Sequence, residues 1–302
     1  MELSTSTNIC FERRQGDYIP VQESMRLCAS AGYRKLDFGF AELALSSPHF
    51  AGPAWREEIG EIKKLAEELG VSFVQAHGTI WDFCNPGQNE EWCKELFCRS
   101  IQGAAILGAP WVVVHPSTGC CGGGTDPDTH RKNVAFFQEY AAYAANLGTG
   151  LAIENMWGKT RTGIPRYALQ AEELLGLVED VNCRQVRVCW DVEHGSIEGL
   201  DQRKALGLLK DYLVATHISD ETGPDHIHIL PYLGHADWEE ILDGLAAIQY
   251  DGTFNFEIQH YLPGVPEELL LAALEFSYKV GDGMIRRLEQ RKEWYLRAGK
   301  RW

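Results

Sequence analysis

Six residues with the chemistry of metal ligands recur along this chain: His77, His115, Glu154, Asp191, His217 and Glu257, separated by 38, 39, 37, 26 and 40 residues. Each closes a short apolar run. Each therefore reads as the end of a buried strand, the place where α/β folds gather ligand-binding groups. The pattern is plainest where Val188-Cys189-Trp190 gives way to Asp191 and His194, and Leu213-Val214-Ala215-Thr216 gives way to His217 and Asp220. Four of the ten histidines, His194, His217, His226 and His228, fall in this one stretch. Taken singly, a rim histidine or an ion-paired carboxylate explains each residue equally well. It is the recurrence, at about one strand-helix unit per step, that favours a shared site.

Within that set, Glu154, Asp191, His217 and Glu257 are expected to hold one divalent metal. Three carboxylates and one imidazole make a hard to borderline donor set, suited to Mn, Co or Mg and less typical of structural Zn. His77, His115, His194 and His228 either supply nitrogen ligands for a second or third Zn or bind substrate hydroxyls, and the second role is preferred. Trp157, with Trp81 and Phe83, is expected in or near loops at the same mouth. There these rings either wall a substrate or simply pack.

The elements that must position these groups follow one repeating order. Helical periodicity covers Val21–Ala31, Trp55–Leu69 and Glu90–Leu107, closed by Gly32, Gly70 and Gly108, and a further helix runs to Leu147 before Gly148. Later helices are expected over residues 167–179, 202–210 and 236–248. Strands are expected over residues 2–7, 33–38, 71–76, 111–114, 151–153, 186–190, 212–216 and 253–256. Residues 43–54, rich in Ser, Pro and Gly, read as a loop, as does the glycine-rich run Gly119 to Gly124 with its vicinal Cys120 and Cys121. Eight strand-helix units without a compositional break predict an α/β fold of the (β/α)8 TIM barrel type. It is read as a single domain over residues 1–302, with a helical C-terminal extension over about 266–302. A doubly wound open sheet would need a glycine fingerprint after the first strand, and none is present.

Composition narrows the partners. The 302 residues carry 28 Lys and Arg against 43 Asp and Glu, a formal charge of −15, which repels a phosphate backbone at long range and disfavours nucleic acid. Nine cysteines without CxxC spacing argue against a disulfide framework or a cysteine zinc site. No apolar run reaches membrane-spanning length, and residues 1–30 show no basic-then-apolar leader, so a cytoplasmic protein is expected.

Several of these motifs together resemble the xylose isomerase-like TIM barrels, a group that includes sugar epimerases and isomerases, inosose dehydratase-type enzymes and endonuclease IV. The resemblance spans nearly the whole chain. It rests on Leu151-Ala152-Ile153-Glu154-Asn155, Trp190-Asp191-Val192-Glu193-His194, His217-Ile218-Ser219-Asp220, His228-Ile229-Leu230-Pro231 with Gly234 and Asp237-Trp238, and Phe256-Glu257. It implies that Glu154, Asp191, His217 and Glu257 bind a divalent metal, and that Glu154 and Glu257 form an acid/base pair on opposite faces of the substrate. His77, His115-Pro116 and Asp191-x-x-His194 are similar to part of the trinuclear zinc set of endonuclease IV. The aspartate expected two residues before His228 is replaced by His226. Ketohexose epimerases place a glutamate where this chain has Gly158 and an arginine where it has Gly223. The expectation is a metal-dependent isomerase or epimerase of a small sugar or sugar phosphate. The alternatives are a zinc-dependent phosphodiesterase or an inosose dehydratase-type lyase. Homo-oligomer formation is left open.

Overall fold

The computed structural model describes residues 1–14, 16–87 and 89–299. Eight parallel strands, Glu2–Ser6, Lys35–Gly39, Ser72–His77, Trp111–Val114, Gly150–Glu154, Val186–Asp191, Leu213–His217 and Thr253–Phe256, form one sheet in which each strand pairs with its sequence neighbour. The first strand also pairs with the eighth, Glu2 opposite Thr253 and Thr5 opposite Phe256. The seventh and eighth strands close the ring more sparingly. Ile218 N donates to Asn255 O at 2.8 Å and Glu257 N donates to Ile218 O at 3.2 Å, just beyond His217. The expected (β/α)8 barrel is the fold this chain forms.

Strand alternation sorts the side chains. Leu151, Ile153, Val186, Val188 and Trp190 point outward into the main core beneath the helices, whereas Val113, Ala152, Cys189 and Ala215 meet inside the barrel. These small inner residues leave room above them for larger polar groups. Under the mouth lies a second buried layer. Ser4 Oγ donates to Asn255 Oδ1 (2.7 Å), and Asn255 Nδ2 (2.9 Å) and Gln75 Nε2 (3.0 Å) both donate to Asp37 Oδ2. Four residues from four strands are thus tied together through Asp37 Oδ2 and Asn255, while Asp37 Oδ1 and Gln75 Oε1 stay buried without a partner.

The outer helices begin and end where local chemistry dictates. Trp55–Leu69 and Glu90–Leu107 stop at Gly70 and Gly108, whose φ of 65° and 82° is the left-handed cap that glycine adopts without strain. Elsewhere the structure departs from the sequence reading. Residues 43–54 are largely helical rather than a loop: Phe40–Ser46 runs on from the second strand, and Pro48–Ala51 follows. Ser47 Oγ accepts from His49 N and Phe50 N, and Pro48 fits the first turn, so the residues taken as breakers are a cap. The helix expected from residue 167 starts only at Ala171. Ala168 has φ 61°, which no helix interior tolerates, and its carbonyl accepts from Met156 N. Helix Trp238–Ala247 excludes Ala236 because Asp237 caps it through Glu239 N and Glu240 N.

The glycine-rich loop contains a small hairpin, Cys120–Cys121 against Gly124–Thr125. All nine cysteines are free. The last helix, Leu270–Arg297, packs along Val21–Ala31 and Trp238–Ala247. Among the described residues, no helix is long and apolar enough to cross a membrane.

Candidate active site

The carboxyl ends of the strands converge on His217. Its Nδ1 lies 2.9 Å from Glu154 Oε1, 3.0 Å from Glu257 Oε2 and 4.0 Å from Asp191 Oδ2. Register places them: Asp191 stands opposite His217 on adjoining strands, and Glu154 stands opposite Cys189. Glu257 follows the eighth strand and is held by the two backbone bonds that close the barrel. Donor atoms of Glu154, Asp191, His217 and Glu257 all lie within 4.8 Å of one another. All four residues are buried.

Neighbouring groups fix each ligand. Asp191 Oδ1 caps the short helix Val192–Ile197 by accepting from Glu193 N (2.7 Å) and His194 N (3.0 Å). That leaves Asp191 Oδ2 buried with no hydrogen-bond partner, aimed at the centre. Asn155 clamps the same strand end, donating to Asp191 O and accepting from Asp191 N. On its far side the His217 ring presents Nε2 to Asp37 Oδ2 at 3.5 Å. A carboxylate behind a histidine, orienting the ring, is the usual outer support of a ligating imidazole.

The electrostatics fit a divalent cation. Burial works against ionisation of Glu154, yet His217 and His115 outweigh it and hold the carboxyl well below the usual range. Glu257 is likewise depressed, burial being outweighed by His217. Asp191 goes the other way: burial, reinforced by Glu154, pushes it well above the usual carboxylate range. Burial opposes charge on His217, but Cys189, Glu257 and Glu154 raise it well above an ordinary imidazole. Crowded carboxylates thus share protons on Asp191 and His217, and a divalent ion would take over that neutralisation. The donor chemistry, three carboxylates and one imidazole with two buried oxygens, Asp191 Oδ2 and Glu154 Oε2, left without a hydrogen-bond partner, suits such an ion.

Two further donor groups flank this one. His77 Nε2 and His115 Nε2 lie 3.4 and 2.9 Å from Glu154 Oε2. Burial opposes protonation of His77, but the hydrogen bond to Glu154 and the charge of Glu257 raise it to about 9. His115 and His194 are lowered by burial, as is His228, to about 4. On the other flank His228 Nδ1 lies 3.4 Å from Glu193 Oε1, and His194 Nε2 lies 3.4 Å from Asp191 Oδ2. Glu193, His194 and His228 form a third buried donor group. Glu193 Oε1, His194 Nε2 and His228 Nδ1 all lack a hydrogen-bond partner. Burial and Asp191 push the Glu193 carboxyl up to about 10.

The structure therefore brings together all of the singled-out ligand-type residues, His77, His115, Glu154, Asp191, His194, His217, His228 and Glu257. Trp157 joins them, stacked on His194 with ring centroids 4.1 Å apart and 18° between planes. Phe83 is not part of this wall: it stacks on Phe136, and Trp81 packs against Phe97, Phe136 and Tyr140. His226 is exposed, beside Thr222 Oγ1 at 2.6 Å.

Sequence reasoning missed Asp37, Glu42, Glu193 and Gln259. Glu193 Oε2 accepts from His228 N, 35 residues away, and helps hold the His228 backbone at a left-handed φ of 56°. Only the buried carboxylate in the second strand, Asp37, carried a legible signal. Glu42 and Gln259 line the inner chamber of about 130 Å³ together with the ligand groups. Ile80 and His115 line both that chamber and an outer cleft of about 590 Å³.

Residues 25–280 match the family described as xylose isomerase-like TIM barrel. The uncharacterized protein y4fM of Sinorhizobium fredii is 31% identical over 217 residues, covering 66% of this chain but only 63% of that relative's own length. The uncharacterized protein MJ1311 of Methanocaldococcus jannaschii is 23% identical over 252 residues, 78% of this chain and 80% of that protein. A solved structure of L-ribulose 3-epimerase superposes with a TM-score of 0.74 at 18% identity, covering 97% of this chain and 98% of that one. A D-tagatose 3-epimerase-like protein gives 0.71 at 19% identity, covering 96% and 99%. At these identities the two superpositions show a common fold.

Proposed function

Because the chain belongs to the xylose isomerase-like TIM barrel family, we propose that it is a divalent-metal-dependent isomerase or epimerase of a small sugar or sugar derivative. The observation that carries this reading is the position of Glu154 Oε1 and Glu257 Oε2, both within 3.0 Å of one buried imidazole nitrogen, beside the unpartnered Asp191 Oδ2. Glu154, Asp191, His217 and Glu257 would hold the metal. When bound, a divalent ion supplies Lewis acidity toward adjacent carbonyl and hydroxyl oxygens of a ketose, acidifying the C–H bond between them.

The chain's own residues do the rest. Glu154 and Glu257 come from strands well separated around the ring, so one carboxylate removes the proton from one face and the other returns one from the opposite face. Return to the same carbon gives an epimer. Return to the neighbouring carbon gives an isomer, and loss of hydroxide from the enediolate gives a dehydrated product. His115, His194 and His228 are kept neutral by burial; His194 donates through Nδ1 to the Asn155 carbonyl at 2.7 Å, which leaves its unpartnered Nε2 to accept from a substrate hydroxyl, and the unpartnered Nδ1 of His228 is a second place for a substrate hydroxyl. His77, with Nδ1 3.0 Å from Gly78 O and Nε2 3.4 Å from Glu154 Oε2, orients the Glu154 carboxylate. Trp157, backed by His194, covers an apolar face of the ring.

A second reading has one specific observation in its favour. The groups His77/His115/Glu154 and Glu193/His194/His228 flank the central four, and Glu193 provides a carboxylate beside His228 where His226 does not. Three adjoining donor groups suit a zinc-dependent phosphodiesterase. Elemental analysis of the purified, zinc-replete protein separates the two. One ion per chain with turnover of a ketose supports the isomerase; two or three ions with phosphodiester cleavage replaces it with the hydrolase.

A further inference from the structure

The inner chamber of about 130 Å³ is small beside the outer cleft of about 590 Å³, and the two share Ile80 and His115 in their walls, so the outer cleft is the adjoining space for the part of a substrate remote from the reacting carbon. That cleft is walled by a segment of unusual charge. From Asn155 to Ala171 there is no Asp or Glu, while Lys159, Arg161 and Arg166 fall within eight residues of a chain whose net charge is −15. The segment is built rather than loose. Arg166 N donates to Gly158 O (3.1 Å), Thr160 N to Ile164 O (2.7 Å), and Lys159 pairs with Pro165 in an antiparallel bridge. Gly158 is itself anchored, its N–H donating to Glu198 Oε1 at 2.6 Å.

This hairpin sets two guanidinium groups, Arg161 and Arg166, into the cleft wall. Neither makes an ion pair among the described residues. Arg166 is half-buried and lies over Trp157, 5.5 Å from the ring centroid, and Trp157 in turn stacks on His194. The cationic wall is therefore coupled by direct packing to a residue of the inner chamber. One carboxylate, Asp82, lines the same cleft, but Asn85 Nδ2 and Ser117 Oγ already donate to it. Asp82 attracts Arg166, so two guanidinium groups face a single carboxylate and leave one cation in excess, a site for an oxyanion, which guanidinium binds through paired hydrogen bonds.

We propose that the outer cleft is an anion subsite in which Arg161 and Arg166 bind a phosphate or carboxylate group at the end of the substrate remote from Glu154 and Glu257. The substrate class is then a phosphorylated or acidic sugar rather than a neutral one. This rests on the isomerase reading only for what occupies the inner chamber.

The test is calorimetric titration of the manganese-loaded protein with three unreactive probes: glucitol, glucitol 6-phosphate and gluconate. The subsite predicts that at least one anionic probe binds about tenfold or more tightly than glucitol, and which one does so tells phosphate from carboxylate. In Arg161→Gln, at the exposed hairpin tip, and in Arg166→Gln, the ratio of anionic to neutral affinity falls toward one. Arg166→Lys, which keeps the charge, recovers part of it. Equal affinities for all three probes in the wild-type protein, or a ratio unchanged in both glutamine variants, overturns the subsite. An anion preference lost in those variants, in a protein that exchanges no ketose proton, upholds the subsite and removes the isomerase reading.

Discussion

Asp37→Asn tests whether the buried layer beneath the mouth supports the metal ligands. Asp37 Oδ2 accepts from Gln75 and Asn255 and faces His217 Nε2 at 3.5 Å, whereas Asp37 Oδ1 is buried without a partner. Asparagine keeps the shape. Its oxygen must stay on the two amide donors, so its NH2 replaces Oδ1, a buried atom with no hydrogen-bond partner. Hydrogen bonds to a charged group are worth about 1.5–3 kcal/mol and neutral ones about 0.5–1.5, so the exchange costs roughly 1 kcal/mol per bond, about 2 in all. The barrel tolerates that. The larger effect falls on metal affinity, because His217 loses the anion that orients its ring and raises its basicity. Loss of such an outer partner typically costs 10- to 100-fold, or about 1.4 to 2.7 kcal/mol. Competition of manganese or zinc against a chromophoric chelator measures it, with circular dichroism confirming the fold. Affinity within twofold of wild type in a folded Asp37→Asn protein would refute the reasoning.

Further outcomes follow from the same geometry. Glu257→Gln keeps a neutral oxygen near His217 but removes a proton acceptor, so turnover should fall by about 10²- to 10⁴-fold with a smaller loss of metal, and parallel assay and metal analysis of one preparation would show it. Since the raised Asp191 and His217 carry protons that coordination must displace, metal affinity should increase with pH through neutrality, with protons released on binding; calorimetry in buffers of different ionisation enthalpy counts them, and a pH-independent affinity contradicts the assignment. Gly234→Ala should destabilise the protein by about 1–3 kcal/mol, read as a lower denaturant midpoint, because a Cβ there overlaps the Glu221 carbonyl oxygen and Asp220 Oδ1.

Much of this architecture was legible in the sequence, for a physical reason. Parallel strands buried on both faces are short apolar runs, and a ligand group at their carboxyl ends interrupts the run sharply, which is why His77, His115, Glu154, Asp191, His217 and Glu257 stood out. Glycines in left-handed caps marked the long helices equally plainly. What escaped notice depends on contacts between distant segments. Glu193 follows a ligand in sequence and reads as an ordinary helix residue; only the fold carries His228 over it. Ser47 and Pro48 read as breakers because a cap and a loop use the same residue types. Phe83 had two readings, a substrate wall or packing, and the residue that decides for packing, Phe136, lies more than fifty residues downstream on the helix Thr129–Leu147.

The central claim, that two glutamates around one metal-ligating histidine move a proton at a carbon next to a carbonyl, is tested most directly by deuterium wash-in. The metal-loaded protein is incubated in heavy water with a panel of neutral, phosphorylated and acidic ketoses and followed by proton NMR. The account predicts loss of one carbon-bound proton signal, at the carbon between two chelating oxygens, in at least one sugar, and no such loss in Glu257→Gln. If no sugar exchanges while the zinc-loaded wild-type protein cleaves a phosphodiester, the proton-transfer account is contradicted.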